Sequence, residues 1–206
     1  ILKAFAEEFD KNKIHTIFIA LDKRPEEHLN LPSDVDYGFS SFDMVPFRQM
    51  YLIELAVAQA KRMCEMGKDV ALIIDDLISV MKAYEYSTQK NNSEAEINIM
   101  IEIKKLLAVG RNTENGGSIT LVATMCDAKT EKDKKYSEMF DKLCNTHIYL
   151  SRKLENLDSK YCVTPQSVTD NAYQLLDKGN LKLMQKFQER TEEKSINDAA
   201  EIYNEF

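Results

Sequence analysis

Gly67-Lys68-Asp69-Val70-Ala71-Leu72-Ile73-Ile74-Asp75-Asp76 is the stretch on which the fold turns. Val70–Ile74 is apolar without interruption, the pattern of a strand covered on both faces rather than one with a wet side. Before it, Arg48–Met66 carries Met50, Ile53, Val57, Ala60 and Met63–Cys64 on one face at helical spacing, and Gly67 stops that helix. After it, Asp75-Asp76 ends the strand and Leu77–Tyr86 resumes helical spacing. A buried strand between two amphipathic helices is one repeat of an α/β fold.

The same alternation extends outward. Upstream, Ile14–Leu21 (IHTIFIAL) is a second buried, β-branched run, ending in the charged turn Asp22-Lys23-Arg24-Pro25-Glu26-Glu27. Ile1–Phe9 has helical spacing with no capping residue before it, and residues 30–47, with Pro32, Gly38 and Pro46, read as loop and short strand. Downstream come a polar turn at Gln89–Ser93, an apolar helix at Ala95–Val109 and a turn at Asn115-Gly116-Gly117 that leads into a third strand, Ser118–Ala123. A polar loop with lysines 129, 132, 134 and 135 follows, then a short helix to Cys144 and a fourth strand, Thr146–Leu150, beside which Tyr161–Val163 could pair. Beyond Asn171 the pattern is helical and polar. The prediction is an α/β fold with a mostly parallel sheet flanked by helices and a small helical C-terminal segment, its working groups at the carboxyl ends of the strands.

Composition narrows the function. The 206 residues include six glycines, about 3% against a usual ~7%, and neither a G-x-x-x-x-G-K-[ST] loop nor a G-x-G-x-x-G fingerprint occurs. Hydrophobic residues at 44% and charged residues at 30% exclude wholesale disorder. A net charge of −7 argues against nonspecific nucleic-acid binding by the whole surface, while a local basic loop could still bind it. No apolar run approaches the ~18–20 residues of a membrane span, so no membrane is expected. The four cysteines, without C-x-x-C spacing, are expected to be reduced, buried thiols in a cytoplasmic protein. His15, His28 and His147 are too scattered for a structural zinc site.

Three features could carry chemistry. Asp75 at the carboxyl end of a buried strand suits a carboxylate that holds magnesium through water in phosphoryl transfer, or one that caps the next helix. Arg152, in Ser151-Arg152-Lys153 directly after a strand, suits an arginine finger reaching a neighbour's nucleotide, or a solvated charge. The lysines of the loop at 129–135 suit a nucleic-acid backbone, or water.

Together and in this order the segments resemble the ATPase domain of the bacterial transcription termination factor Rho family, RecA-like hexameric RNA helicases. The resemblance runs through Ile1–Lys153 and weakly to about Asp170. It rests on Leu21-Asp22-Lys23-Arg24-Pro25-Glu26-Glu27, Ser41-Phe42-Asp43, Gly67-Lys68-Asp69-Val70 with Asp75, Ala83-Tyr84, Gly110-Arg111-Asn112-Thr113-Glu114-Asn115-Gly116-Gly117-Ser118, Ala123-Thr124 and Leu150-Ser151-Arg152-Lys153. It implies a cytoplasmic, ring-forming RNA-dependent ATPase that uses ATP and magnesium and couples hydrolysis to RNA translocation.

Residue by residue, the resemblance implies that Asp75 is the Walker B aspartate, holding magnesium via water, and that Arg152 is the arginine finger. Asp22, Arg24, Ser167 and Thr169 would lie at the nucleotide, and Lys129, Lys132, Lys134 and Lys135 on the loop that touches RNA. It further implies that residues 1–170 form a partial RecA-like domain starting just after the Walker A position, with 171–206 as C-terminal helices of the same domain.

Three departures cluster around the implied nucleotide. Lys23 stands where the family has a glutamate that orients the attacking water, Ser79 where it has an arginine, and Asp170 where it has another arginine. A protonated lysine cannot accept a proton. The expectations are therefore two: a Rho-like RNA-dependent ATPase domain, inactive as residues 1–206 alone, or a Rho-derived RecA-like binding or assembly module without hydrolysis.

Overall fold

A computed structural model gives the arrangement, and it describes residues 1–24, 26, 33–87, 93–114, 116–126, 130–151, 163–164, 167–175 and 177–191. The chain falls into two compact units, Ile1–Phe140 and Asp141–Phe206.

The first unit is built on a five-stranded sheet of β1 (His15–Lys23), β2 (Asp36–Ser41), β3 (Val70–Asp75), β4 (Arg111–Asn112) and β5 (Ser118–Ala123). The order is β2-β1-β3-β5-β4, with the first four parallel and β4 antiparallel on the edge. The helices are α1 (Leu2–Lys11), α2 (Pro46–Glu65), α3 (Leu77–Ser87), α4 (Ser93–Leu107) and α5 (Glu131–Leu143). The uninterrupted apolar runs explain the layering, because alternate side chains of β1 and β3 point to opposite faces and each face is covered. Ile17, Ile19, Leu21, Val70, Leu72 and Ile74 pack with residues of α2, α3, α4 and α5. Phe18, Ala20 and Ile73 pack on the other side against Ala6 and its neighbours on α1.

Gly67 ends α2 as its position predicts. Its φ of 81° closes a turn in which the Gly67 amide donates to the Cys64 carbonyl and the Lys68 amide to that of Met63, at 2.9 and 3.1 Å. The Gly116-Gly117 turn packs onto that turn. A Cβ on Gly117 would overlap the Lys68 backbone, so only glycine fits. The Ser118 amide and hydroxyl both donate to Asp69 Oδ1, at 3.0 and 2.6 Å. This segment therefore lies at the amino ends of β3 and β5, the end of the sheet opposite Asp75, and its glycines serve packing.

Several expectations change. Strand β1 continues through Lys23, so Asp22 and Lys23 belong to the strand end rather than to a turn. The polar lysine loop is helix from Glu131 onward: the Thr130 amide donates to Asp133 Oδ2 at 3.0 Å and the Asp133 amide to Thr130 Oγ1 at 3.1 Å, a reciprocal cap that fixes the first turn. Not all the thiols are buried, because Cys126 lies beyond the end of β5 and is exposed, while Cys64 is buried and Cys144 half-buried. Cys162 lies outside the described residues.

The second unit carries a two-stranded antiparallel sheet of β6 (Thr146–His147) and β7 (Val168–Thr169), followed by α6 (Ala172–Leu175) and α7 (Lys178–Thr191). The expected strand Thr146–Leu150 is thus a two-residue strand plus a single bridge from Leu150 to Val163. Tyr161 lies outside the described residues.

Candidate functional site

The carboxyl ends of β1, β3 and β5 lie side by side, since β1 and β5 flank β3 in register, Ala20 beside Asp75 and Ala123 beside Ile74. One polar side chain comes from each end: Lys23, Asp75 and Thr124. The pairing of β1 with β2 is irregular between Ala20 and Lys23, where Asp22 takes a φ of 56°. Bulges of this kind re-aim the side chains that follow, and Asp tolerates the left-handed region better than most residues.

Lys23 Nζ lies 3.0 Å from Asp75 Oδ2, and Thr124 Oγ1 donates to Asp75 Oδ1 at 2.6 Å. The two charged side chains are 21% and 23% exposed, which makes this a partly buried ion pair rather than a surface contact. Burial works to lower the Lys23 pKa, but the hydrogen bond and charge of Asp75, with Asp76 behind, outweigh it and leave the ammonium above the usual lysine value.

Asp76 is the helix cap. Its Oδ1 accepts from the Ser79 amide at 2.7 Å, satisfying an orphan donor of the first turn of α3, and Cys126 Sγ donates to its Oδ2 at 3.6 Å. Burial, then the charge of Asp76, raises the Cys126 thiol. The Asp75–Asp76 peptide is cis. With the cap made by Asp76, Asp75 keeps both of its oxygens for the strand-end cluster.

That cluster does not fit a divalent metal. Magnesium or its waters would have to share the two carboxylate oxygens with an ammonium and a hydroxyl, and would sit beside a like charge. Among the described residues no group of three or more His, Cys, Asp or Glu side chains is placed to hold a metal ion.

The other expected site residues are more dispersed. Asp22 and Arg24 are exposed at the end of β1, beside the cluster in sequence. Lys132 pairs with Glu85 at 2.8 Å and Lys134 with Glu131 at 2.6 Å, while Lys135 is exposed on the same helix. Tyr136 also bonds Glu85, so Lys132 is tied into the packing of α5 on α3. In the second unit Ser167 Oγ donates to the Thr164 carbonyl at 2.8 Å and accepts from the Tyr149 amide at 3.0 Å, and Thr169 pairs with Thr146 in the small sheet. Arg152 and Lys129 lie outside the described residues. The sequence reading missed Thr124, and it marked Lys23 as a departure without pairing it to Asp75. The signal was present, since a cation and an anion end adjacent strands, but it becomes readable only when the strand order is known.

No protein-family model matches the chain. Curated relatives do: the transcription termination factor Rho of Micrococcus luteus is 31% identical over 163 residues, covering 75% of this chain and 24% of the relative. That of Aquifex aeolicus (strain VF5) is 31% identical over 165 residues, covering 75% of this chain and 38% of the relative. The chain is homologous to transcription termination factor Rho. It spans between a quarter and two fifths of the length of these Rho proteins. Among solved structures it is similar to an ATP synthase subunit, NeqB, from Nanoarcheaum equitans, with a TM-score of 0.74 at 17% identity over 90% of this chain and 53% of that one. It is also similar to the assembled type III secretion ATPase EscN of enteropathogenic E. coli, with a TM-score of 0.67 at 17% identity over 85% of this chain and 46% of that one. These likenesses show the fold: a RecA-like α/β sheet of the ATPase kind, Rho-related by sequence. Among the described residues no helix is long and apolar enough to cross a membrane.

Proposed function

We propose that the chain is the RecA-like part of a Rho-type factor that acts on RNA as a ring of copies, and that its nucleotide site has lost hydrolysis. The similarity to Rho proteins supports the first half. The Lys23–Asp75 ion pair carries the second. In hydrolysis a side chain at the Lys23 position would accept a hydrogen bond from the attacking water, and an ammonium held protonated by Asp75 accepts nothing.

In this reading residues 1–170 supply the RecA-like domain and 171–206 its C-terminal helices. Asp22 and Arg24 would flank the nucleotide at the end of β1, and by the resemblance to Rho Ser167 and Thr169 would also be nucleotide-binding residues. Arg152 would reach a neighbouring copy's nucleotide, which makes the ring necessary to complete the site. RNA would meet the amino end of α5, where Lys135 is more available than Lys132 or Lys134, both already paired.

A second reading is a working RNA-dependent ATPase that couples hydrolysis to translocation. One observation favours it: Asp75 is not spent as a helix cap, since Asp76 does that work. The natural full-length protein separates the two. We expect single-stranded RNA to bind by fluorescence anisotropy, weakened by Lys135→Ala, with no RNA-stimulated release of phosphate from ATP. RNA-stimulated hydrolysis that disappears in Asp75→Asn would establish the second reading, and an absence of RNA binding would remove RNA from both.

A further inference from the structure

The disagreement between the strand-end cluster and a divalent metal has a definite cause, and it lies in one side chain. We propose that Lys23 is the resident cation of this site: its ammonium takes the place of a divalent metal at Asp75, and the site holds no such metal. The inference rests on reading this edge as the nucleotide site.

The geometry carries it in three steps. First, the cation and the carboxylate belong to adjacent parallel strands: Ala20 pairs with Asp75, β1 continues through its bulge to Lys23, and the Lys23 side chain brings Nζ to 3.0 Å from Asp75 Oδ2. Second, the other carboxylate oxygen accepts from Thr124, which follows the strand on the other side, so Asp75 is held between its two neighbours. Third, Asp76, the other carboxylate at this edge, is committed to the Ser79 amide and faces Cys126. A metal entering here would have to displace an ammonium, share Asp75 Oδ1 with the Thr124 hydrogen bond and draw on a carboxylate that is capping a helix. Each requirement opposes it, and together they leave Lys23 as the counter-charge.

Lys23 also has capacity left. An ammonium has three donors, and among the described residues Asp75 takes one. The tether makes the charge permanent and monovalent, where a metal would be divalent and removable.

The direct probe is manganese alone, followed by water-proton relaxation in the natural full-length protein. We expect no manganese binding that depends on Asp75: the wild type and Asp75→Asn should give the same titration. Lys23→Glu removes the ammonium and adds a carboxylate, so it should bind manganese at least about tenfold tighter than wild type, and Asp75→Asn in that background should abolish the gain. Lys23→Met removes the charge without adding one, should gain a weaker Asp75-dependent site, and serves if the Glu variant does not fold. Asp75-dependent binding in the wild type would overturn the proposal, as would Lys23 variants that bind no better than wild type. The outcome is separable from the loss of hydrolysis. Wild-type manganese binding without ATP turnover sinks only the resident cation, and turnover that needs no divalent metal sinks only the loss of hydrolysis.

Discussion

Asp75 and Asp76 divide two roles that sequence alone left ambiguous. Two adjacent aspartates end β3, and either could have capped α3; the backbone assigns the cap to Asp76 and leaves Asp75 to its neighbours on β1 and β5. The consequence is measurable in stability. Lys23→Met leaves a partly buried carboxylate without its cation, and should cost about 1–2 kcal/mol in urea unfolding, between the values of surface and buried pairs. A double-mutant cycle with Asp75→Asn should show coupling of the same sign, and independent effects would mean that the pair does not form. The Lys23 pKa is raised, so this contribution is fully present below the usual lysine value of 10.5 and fades as pH rises past it. Tyr84 gives a second alkaline signature. Burial, then the charges of Glu54 and Glu102, push its phenol up to about 12 from 10.0, so the unfolded chain loses that proton first. Stability should therefore fall between pH 10 and about 12, and Tyr84→Phe should remove that part of the slope, as followed by phenolate absorption and denaturant midpoints.

At the scale of elements, one of the segments that carry the resemblance to Rho serves as scaffold. Gly116-Gly117-Ser118 sits against the Gly67-Lys68 turn at the amino ends of β3 and β5, away from Asp75. Gly117→Ala should destabilise by about 2–4 kcal/mol because its Cβ would strike backbone that cannot yield, whereas Gly67→Ala, in open space but at a φ of 81°, should cost nearer 1 kcal/mol. Thermal melts of the two variants rank them, and equal losses would contradict the packing role. Asp76→Ala should cost about 1 kcal/mol through loss of the α3 cap. The helix α5 was expected, but its start was legible and went unread. Thr130-Glu131-Lys132-Asp133 has the reciprocal-cap spacing, but four lysines nearby suggested a solvated loop, and charge was weighed above the cap. The two-residue β4, by contrast, gives no periodic signal, because it is a short exposed edge partner of β5.

Over the whole molecule, the sheet was readable because its central strands are apolar on both faces, and that same fact makes the site open to experiment. Leu72, Ile73 and Ile74 are fully buried, and each such side chain contributes about 1.5–3 kcal/mol. That outweighs the ion pair at the strand end, so Lys23 and Asp75 can be changed without losing the fold. What sequence could not supply was strand order, and with it the fact that Lys23, Asp75 and Thr124 meet. The central claim is that an ammonium, and not a metal, balances Asp75. The measurement that addresses it most directly is an anomalous difference map from crystals of the natural protein grown with a nucleotide and soaked in manganese. The expected map has Lys23 Nζ within hydrogen-bond distance of Asp75 and no anomalous peak there. A manganese peak at Asp75 with the Lys23 side chain turned away would contradict it.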